Sequence, residues 1–364
     1  MKVVLAGGGT GGHVYPAIAM GDALKARGHE VVYVGDPTRL ESRVAPEKGY
    51  EFHGLVAPKY PRGGVVGKLK FAFSLLAAIL RARKILKRIK PDLVLGVGGY
   101  IMAPTVLAAK TKGIPRVVHE ANVTPGMANR LCAKHAQLVL LTYAATEAKL
   151  STPAPFEVVG CPVNPKVLQG HRDAALERYE LSPDKPVLTI VGGSLGASTL
   201  NALALAGARQ TPRDWQILWI TGPRFHEEVM RDLGTPPDGV CVVGYEDRMQ
   251  DAYAASTLVV ARAGSSTLSE LTALGKPALL IPSPNVTDNH QEANARGLEN
   301  EGAALVMVEA DLDIPEALQT IEALLRDAPA LAEMATKSKA QGRTEVADQV
   351  ADLLISRFAG GGAA

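Results

Sequence analysis

The sequence predicts an α/β protein with two Rossmann-like domains. Strand-like and helical segments alternate along the chain, as they do in parallel sheets joined by right-handed crossovers. A glycine-rich loop follows a short apolar strand at the start of each half, at residues 7–12 and again at residues 192–197. The chain has 364 residues, which is too long for one core and suits two domains of about 150–200 residues.

In the first half, apolar runs predict the strands and helical spacing predicts the helices. The predicted strands are 2–6, 31–35, 93–97, 116–119 and 138–142, and the predicted helices are 15–27, 68–89, 102–112 and 125–135. Residues 151–165 hold four prolines and form the predicted hinge.

The second half repeats this pattern. Its predicted strands are 187–191, 217–221, 240–243, 258–261, 278–281 and 304–308. The last helix, 345–358, carries one apolar stripe, and we expect it to cross back and pack on the first domain. The predicted organisation is therefore an N-terminal domain over 1–160, a C-terminal domain over 161–340 and a helical segment over 341–364.

Composition excludes several classes of protein. A hydrophobic content of 47% with 21% charged residues describes an ordinary globular chain. The three cysteines are scattered and the eight histidines show no metal-ligand spacing, so neither disulfides nor a zinc site is predicted. A strand that begins near Lys2 leaves no room for a signal peptide, and we expect a cytoplasmic protein.

Charge is distributed unevenly between the halves. Residues 1–160 hold 22 Lys and Arg against 10 Asp and Glu, whereas residues 161–364 hold 17 against 27. The positive charge is concentrated in residues 65–90, where eight basic residues flank a ten-residue apolar run that is too short to span a bilayer. This pattern fits a helix lying in a membrane interface, and it also fits a core helix with solvated ends.

The first glycine loop suggests phosphate binding and a catalytic base. A strand, a glycine loop and a helix together aim backbone N–H groups at an anion. Gly7-x-Gly9-x-x-Gly12 fits the dinucleotide fingerprint, with Asp36 as a ribose-binding acid, but His13 replaces the lysine of a P-loop. An imidazole at a helix N-terminus is biased towards its neutral form, which is the form of a general base. The alternative is a structural histidine that bonds to the loop.

Three further segments have both a structural and a functional interpretation. Gly98 and Gly99 form a third glycine turn after strand 93–97. Glu270 fits a capping box with Thr267, or a carboxylate that accepts both hydroxyls of a ribose. Asp311 and Asp313 fit a D-x-D metal motif, but Asp313 is well placed as a helix N-cap, and we favour the cap.

Six segments in this order and spacing carry a family resemblance: 8–16, 98–100, 119–122, 192–197, 262–270 and 288–295. The chain resembles the MurG family, membrane-associated enzymes that add GlcNAc from UDP-GlcNAc to lipid I and so complete lipid II for peptidoglycan. The resemblance covers nearly the whole chain. It implies the GT-B fold, with a ligand cleft between two Rossmann-like domains and with neither a metal nor another cofactor.

The resemblance also implies substrates and a location. UDP-GlcNAc would bind the C-terminal domain, and lipid I, an undecaprenyl-pyrophosphoryl-MurNAc-peptide, would bind the N-terminal domain. The other implied partners are an anionic membrane surface and further proteins of cell-wall synthesis, with no nucleic acid. The implied location is peripheral, on the cytoplasmic face of the bacterial inner membrane.

Individual residues take roles from the same resemblance. The donor diphosphate, ribose, GlcNAc and uracil would be contacted by Ser194, Ser265, Ser266, Thr267, Glu270, Asn122, Gln291, Tyr245 and Glu246. The acceptor pyrophosphate and the sugar beside it would be contacted by Thr10, Gly11, Gly12, Gly98, Gly99 and Tyr100. Two positions depart from the family. Asn164 stands where an arginine is common, and Ser265-Ser266-Thr267 stands where Ala-Leu-Thr is common.

The implied mechanism is an inverting displacement at the anomeric carbon. His13 is the predicted base, with Glu120 or His119 next, and loop amides with helix ends would support the departing diphosphate. The alternatives are a nicotinamide-dependent oxidoreductase, a phosphoinositide- or nucleic-acid-binding protein, and another UDP-sugar enzyme such as a UDP-GlcNAc 2-epimerase.

Overall fold

The computed structural model describes residues 1–61 and 64–360. The chain divides into unit 1, which is Met1–Val163 with the C-terminal residues from Glu345, and unit 2, which is Asn164–Thr344. These divisions lie close to the predicted boundaries at 160 and 340. Of the predicted C-terminal segment, residues 361–364 lie outside the described residues.

The strands are numbered in chain order. They are β1 (Lys2–Gly7), β2 (Glu30–Gly35), β3 (Glu51–Gly54), β4 (Leu93–Gly98), β5 (Arg116–Glu120), β6 (Leu138–Leu141), β7 (Phe156–Val158), β8 (Val187–Val191), β9 (Gln216–Ile220), β10 (Val240–Val243), β11 (Leu258–Ala261), β12 (Ala278–Leu280) and β13 (Leu305–Val306).

The helices are numbered in the same way. They are α1 (Gly11–Ala26), α2 (Glu41–Glu47), α3 (Val65–Ile89), α4 (Met102–Lys110), α5 (Met127–Ala133), α6 (Arg172–Arg178), α7 (Ser198–Arg209), α8 (His226–Leu233), α9 (Met249–Ala255), α10 (Ser265–Leu274), α11 (His290–Asn300), α12 (Ile314–Arg326), α13 (Ala328–Ala340) and α14 (Val346–Phe358).

Each unit contains one parallel sheet. Within the described residues, the sheet of unit 1 has the order β3-β2-β1-β4-β5-β6-β7 and the sheet of unit 2 has the order β10-β9-β8-β11-β12-β13. The order reverses at β1, which pairs with β2 and β4, and at β8, which pairs with β9 and β11. Ligands of open α/β sheets bind beside the carboxyl ends of strands at such a reversal. The predicted class, two Rossmann-like α/β domains, is confirmed.

The central strands are largely apolar because helices cover both faces of each sheet. Val3, Val4 and Leu5 in β1 are fully buried, as are Val187 and Leu188 in β8. Each unit contains two hydrophobic clusters, in which residues of the sheet pack against residues of the helices. The strands therefore hold their carboxyl-terminal loops on a rigid base.

The register of the sheets sets which loops become neighbours. In unit 1, Leu5 pairs with Leu95 and Gly7 pairs with Gly98, so the loops after β1 and β4 emerge side by side. In unit 2, Ala261 pairs with Val191, so the loop after β11 emerges beside the glycine loop after β8. The two groups of loops provide the candidate site residues described below.

Helix α14 packs on unit 1. Val346, Val350 and Leu354 are buried in the cluster that also contains residues of α1. The Arg27 guanidinium pairs with Asp348 at 2.7 Å and with Asp352 at 2.6 Å. The apolar stripe predicted for residues 345–358 therefore belongs to the core of unit 1.

Helix α3 presents one face to the core and another to solvent. Ala78, Ala82 and Leu86 are buried, whereas the row formed by Leu69, Phe73, Leu76 and Leu80 is exposed. The buried face agrees with the core alternative, and the membrane-interface alternative stays a prediction for the exposed row. Among the described residues, the structure contains no helix that is both long and apolar enough to cross a bilayer.

The predicted hinge segment, residues 151–165, contains a strand as well as the boundary between the units at Val163 and Asn164. Residues 156–158 form β7, which pairs with β6 at the edge of the sheet in unit 1. A three-residue edge strand tolerates neighbouring prolines because one side of the strand makes no ladder bonds. Short elements at the other edge, β3 and α2, were also absent from the prediction.

Candidate active site

The first glycine loop packs tightly against the third glycine turn. Gly98 and Gly99 have φ angles of 103° and 80°, which are the left-handed conformations that glycine adopts without strain. A Cβ on Gly99 would lie 2.2 Å from the carbonyl oxygen of Gly8, and a Cβ on Gly9 would lie 3.3 Å from the Tyr100 ring. These glycines therefore serve close packing between two loops of the same site.

His13 lies in this packed region, in the first turn of α1. A Cβ on Gly98 would lie 2.5 Å from His13 Nδ1, so the imidazole packs against the third glycine turn. The side chain is half-buried, and the His13 N–H donates to the Thr10 carbonyl at 3.1 Å. The predicted neighbours Gly11 and Gly12 are the first two residues of the same helix, and the predicted contact Thr10 is its exposed N-cap.

A buried carboxylate that the sequence analysis did not identify lies behind the loop. The Gly9 N–H donates to both carboxylate oxygens of Glu41, at 3.2 and 3.1 Å, and the Asp36 N–H donates to Oε1 at 3.0 Å. The Glu41 side chain is fully buried. Glu41 is the first residue of α2, and in the sequence it looks like any acidic residue at the solvated start of a helix.

Asp36 connects the loops after β2 and β4. Tyr100 donates its hydroxyl to Asp36 Oδ2 at 2.6 Å, and Thr38 donates both its N–H and its hydroxyl to Oδ1. Burial opposes ionisation of Asp36, but these bonds hold its pKa below the ordinary value. Burial and the bond to Asp36 raise the pKa of Tyr100 to about 12. Both Asp36 oxygens therefore have partners within the chain, and the ribose role belongs to the oxidoreductase alternative.

Glu120 holds the loop that follows β5. Its Oε1 accepts from the Asn122 N–H at 2.9 Å and from the Asn122 side-chain amide at 3.2 Å, and its Oε2 accepts from the Gly126 N–H at 3.1 Å. Burial raises the pKa of Glu120 to about 7 against the opposing effect of these bonds. The predicted sugar contact Asn122 is therefore fixed by the predicted second base.

His119 is unsuited to be the base. It is fully buried, its Nε2 lies 2.9 Å from the Gly160 carbonyl oxygen, and burial lowers its pKa. A ring that is wholly buried in the core has no access to a substrate.

The glycine loop of unit 2 is more open. Ser194 is exposed, as is Leu195 with 75% of its surface accessible, and a Cβ on Gly193 would meet no atom within 4 Å. Gly196 is the fixed point of the loop, because its Cβ position lies 2.3 Å from the Thr221 carbonyl oxygen. The loop thus presents its tip to solvent while its base is held by the turn after β9.

Helix α10 begins beside that loop with three hydroxyl residues. Gly264 is the N-cap, so Ser265, Ser266 and Thr267 occupy the first turn of the helix. The Ser266 hydroxyl is buried and has no hydrogen-bond partner among the described residues. The first turn of a helix carries unpaired N–H groups and a partial positive charge, which suits a phosphate group.

Glu270 is not a helix cap. Thr267 lies inside α10 rather than before it, and the Glu270 carboxylate instead accepts the Tyr253 hydroxyl at 2.8 Å. Burial raises the pKa of Glu270 to about 7, and the Tyr253 bond opposes this increase. The capping alternative is therefore wrong, and the ribose alternative stays a prediction.

Gln291 joins the loops after β11 and β12. Its Oε1 accepts from the Ala263 N–H at 3.2 Å and from the Ser283 N–H at 2.9 Å. Asn289, the N-cap of α11, has a left-handed φ of 47°, which marks a constrained turn into that helix. The amide group of Gln291 is thereby fixed near the start of α10.

The remaining predicted donor contacts differ in their surroundings. Tyr245 is half-exposed, whereas Glu246 is buried and accepts from the Tyr179 hydroxyl at 2.7 Å and the Arg248 N–H at 2.7 Å. Asn164 Oδ1 accepts the Lys166 N–H at 3.1 Å and so caps a 3-10 turn. The side chains of Glu246 and Asn164 therefore have structural partners already.

Asp313 acts as the predicted N-cap, because its Oδ1 accepts the Glu316 N–H at 2.9 Å at the start of α12. That alternative is confirmed. Across residues 1–61 and 64–360, no three His, Cys, Asp or Glu side chains are grouped to hold a metal ion.

The fold and the loops together define a class: an α/β enzyme of two Rossmann-like units with glycine loops at both sheet reversals. Comparison with known proteins gives the family. The N-terminal domain of glycosyltransferase family 28 matches residues 3–141, and the C-terminal domain of that family matches residues 187–350. The chain belongs to glycosyltransferase family 28 and is a glycosyltransferase.

Similar proteins share one name. A UDP-N-acetylglucosamine--N-acetylmuramyl-(pentapeptide) pyrophosphoryl-undecaprenol N-acetylglucosamine transferase of Halothermothrix orenii is 38% identical and covers 94% of this chain and 95% of its own. The transferase of the same name from Salinibacter ruber is also 38% identical, with 96% and 95% covered. The crystal structure of Acinetobacter baumannii MurG matches with a TM-score of 0.78 at 29% identity, covering 98% of this chain and 99% of its own.

A UDP-GlcNAc 2-epimerase from Neisseria meningitidis shares the fold with a TM-score of 0.67, but at 16% identity. That likeness indicates architecture alone. The family-28 domains therefore favour the glycosyltransferase over the epimerase and the oxidoreductase considered from the sequence.

Proposed function

We propose that this enzyme transfers GlcNAc from UDP-GlcNAc to the MurNAc of undecaprenyl-pyrophosphoryl-MurNAc-peptide, the lipid I of peptidoglycan synthesis. The observation that carries the proposal is near-full-length similarity, at 33–38% identity, to transferases named for this reaction. The loops of the two units supply chemistry that suits it.

Unit 2 is the proposed donor site. The first turn of α10 begins at Ser265. It offers its backbone N–H groups, the Ser266 hydroxyl and the positive end of the helix dipole to a diphosphate. Ser194 lies on the exposed tip of the neighbouring glycine loop. The Glu270 carboxylate, one turn further along α10, would accept the ribose hydroxyls. Gln291, fixed between two loops, would orient the sugar.

Unit 1 is the proposed acceptor site. Gly11 and Gly12 begin α1, so their N–H groups precede the first helical hydrogen bonds and suit a pyrophosphate. Gly98, Gly99 and Tyr100 form the adjoining wall. His13 lies between these two elements and is the proposed base.

The proposed reaction is a single displacement. The acceptor hydroxyl forms a bond to the anomeric carbon while the bond from that carbon to the UDP oxygen breaks, and UDP leaves with the electron pair. His13 takes the hydroxyl proton, and the N–H groups of unit 2 stabilise the charge that grows on the departing diphosphate. Glu120 stays in the proposal as a group that fixes Asn122.

A membrane surface is the proposed location of this reaction. Phe73 is 73% exposed on α3, in the same row as the exposed side chains of Leu69 and Leu76. Along the chain, the eight basic residues within 65–90 flank the apolar run, and no acidic residue lies among them. Exposed apolar area with a basic rim suits the interface of an anionic bilayer. We place the enzyme on the cytoplasmic face, where its nucleotide-sugar donor is available.

Transfer of labelled GlcNAc tests the proposal. Purified enzyme, UDP-[¹⁴C]GlcNAc and a short-chain lipid I analogue should yield a labelled lipid-linked disaccharide, with the label retained on UDP-GlcNAc when the acceptor is omitted. Conversion of UDP-GlcNAc to its 2-epimer without acceptor would instead support the epimerase. Absence of both products would contradict the proposed substrates.

A further inference from the structure

The chain supplies its own anion to the first glycine loop. In phosphate-binding loops, glycine N–H groups point at a ligand. Here the Gly9 N–H points at the carboxylate of Glu41 and is within 3.2 Å of both oxygens. A pyrophosphate at that N–H would have to displace a fully buried carboxylate of the same sign.

Two glycines make room for this carboxylate. A Cβ on Gly8 would lie 1.9 Å from Glu41 Oε1, and a Cβ on Gly35 would lie 2.5 Å from Glu41 Cγ. Any side chain at either position would therefore collide with Glu41. The glycine at position 8 fits a carboxylate from within the chain, so the loop does not need a ligand to take its shape.

The same carboxylate is connected to the second loop. Glu41 also accepts the Asp36 N–H, and the Asp36 side chain accepts the Tyr100 hydroxyl. Tyr100 in turn packs on Gly9, and Gly98, two residues before Tyr100, packs on His13. A hydrogen-bonded path thus runs from Glu41 to both walls around the imidazole.

We propose that Glu41 is a positioning residue, which holds the first glycine loop and Tyr100 in the arrangement that His13 requires to act on the acceptor. This inference rests on the proposed function of unit 1. It places the acceptor pyrophosphate at the start of α1 rather than at Gly9, because Glu41 occupies the Gly9 N–H.

The test is Glu41→Gln, which keeps the shape of the side chain. Its amide NH₂ would face at least one backbone N–H, so at least one of the three hydrogen-bond contacts becomes a contact between two donors. We expect kcat/KM for the lipid I analogue to fall by at least about tenfold. The Kd of UDP should stay within about twofold, since unit 2 is untouched. The ¹H–¹⁵N ring signals of His13 should shift.

Asp22→Asn is the matched control. Asp22 lies on α1 and accepts the Tyr50 hydroxyl at 2.5 Å, a contact that involves neither of the two loops. This variant should retain wild-type kcat/KM and wild-type His13 signals. If Glu41→Gln behaves like Asp22→Asn in both measurements, Glu41 does not position the site and the inference is wrong.

A second variant covers the case in which Glu41→Gln does not fold. Asp36→Asn weakens the bond to Tyr100 and leaves Glu41 in place. We expect a smaller loss of kcat/KM in the same direction, and wild-type kcat/KM in this variant would overturn the inference. The two proposals fail differently: an inactive wild-type enzyme contradicts the acceptor reaction, whereas the His13 signals report the positioning role without turnover.

Discussion

The two glycine loops have similar sequences and opposite environments. In unit 1, the loop after β1 is filled by the Glu41 carboxylate and packed against Gly98 and Tyr100. In unit 2, the loop after β8 has an exposed tip, with open space beside Gly193 and an exposed Ser194. One loop is closed by the chain itself, and the other is free to receive a ligand.

The difference shows that a glycine motif predicts a backbone shape and not the group that fills it. Both loops turn a buried strand into a helix, which the sequence pattern requires. The side chains that surround each loop determine whether the loop is filled by the chain itself or is open to a ligand. In unit 1 these are Glu41, Asp36 and His13, and in unit 2 they are hydroxyls and Glu270. We therefore expect changes in unit 1 to affect turnover and changes in unit 2 to affect donor affinity.

The largest expected effect comes from His13→Ala. Loss of the base should lower kcat by roughly 10²–10⁴ while the Kd of UDP changes little, because the substitution lies in unit 1. Single-turnover transfer to the acceptor analogue measures the first quantity and calorimetry the second. His135→Ala is the matched control, since His135 precedes the amino end of β6, whereas His13 follows the carboxyl end of β1 in the same sheet. A near-normal kcat would return His13 to a structural role.

Membrane binding should also depend on unit 1 alone. Replacing Leu69, Phe73 and Leu76 with Ser removes exposed apolar side chains from α3. Binding to anionic vesicles should weaken by at least about tenfold, with the Kd of UDP unchanged. Vesicle sedimentation measures the loss, and Lys68→Gln with Lys70→Gln should weaken binding to anionic but not to neutral vesicles. Unchanged sedimentation of the triple variant would exclude this face as the membrane surface.

Donor affinity should depend on pH through Glu270. A pKa near 7 leaves most of this carboxyl protonated at pH 6 and most of it ionised at pH 8. Since only the ionised form accepts from two ribose hydroxyls, binding of UDP-GlcNAc should strengthen with rising pH, by up to about tenfold between pH 6 and pH 8. Calorimetry across this range measures the slope. Glu270→Gln should abolish it, and an equal slope in this variant would assign the titration to another group.

The smallest expected effect is a difference in melting temperature between a substitution near the closed loop of unit 1 and one in the open loop of unit 2. Gly98→Ala and Gly193→Ala both force alanine into a left-handed conformation, which costs about 1–2 kcal/mol. Only Gly98→Ala adds a collision with His13 Nδ1. Gly193→Ala should lower the melting temperature by a few degrees, and Gly98→Ala should lower it further. Equal losses would contradict the tight packing of the first loop.

The sequence predicts most of the fold because buried parallel strands are continuous apolar runs. The strands at 187–191, 240–243 and 258–261 have the predicted bounds. Edge elements were harder to predict. β7 has three residues and lies among prolines, so tertiary pairing with β6 determines it rather than local pattern.

The site residues that the sequence did not reveal act across long separations. Glu41 reaches Gly9 over 32 positions, and Tyr253 reaches Glu270 over 17. A single acidic residue at a helix start carries no signal of such a contact. Glu270 was visible in the sequence but fitted two interpretations. The capping interpretation is removed only by the observed N-cap of α10, which is Gly264 rather than Thr267.

The most direct test of the central claim, that unit 2 is the open donor site, is a double-mutant cycle at Glu270. Charge-assisted hydrogen bonds contribute roughly 1.5–3 kcal/mol, so Glu270→Gln should raise the Kd of UDP by at least about tenfold with little change in melting temperature. A 2′-deoxy nucleotide should bind the wild type more weakly than UDP does. In the variant, the two nucleotides should bind almost equally well. If both proteins penalise the deoxy nucleotide equally, Glu270 does not touch the ribose, and the donor site is not at α10.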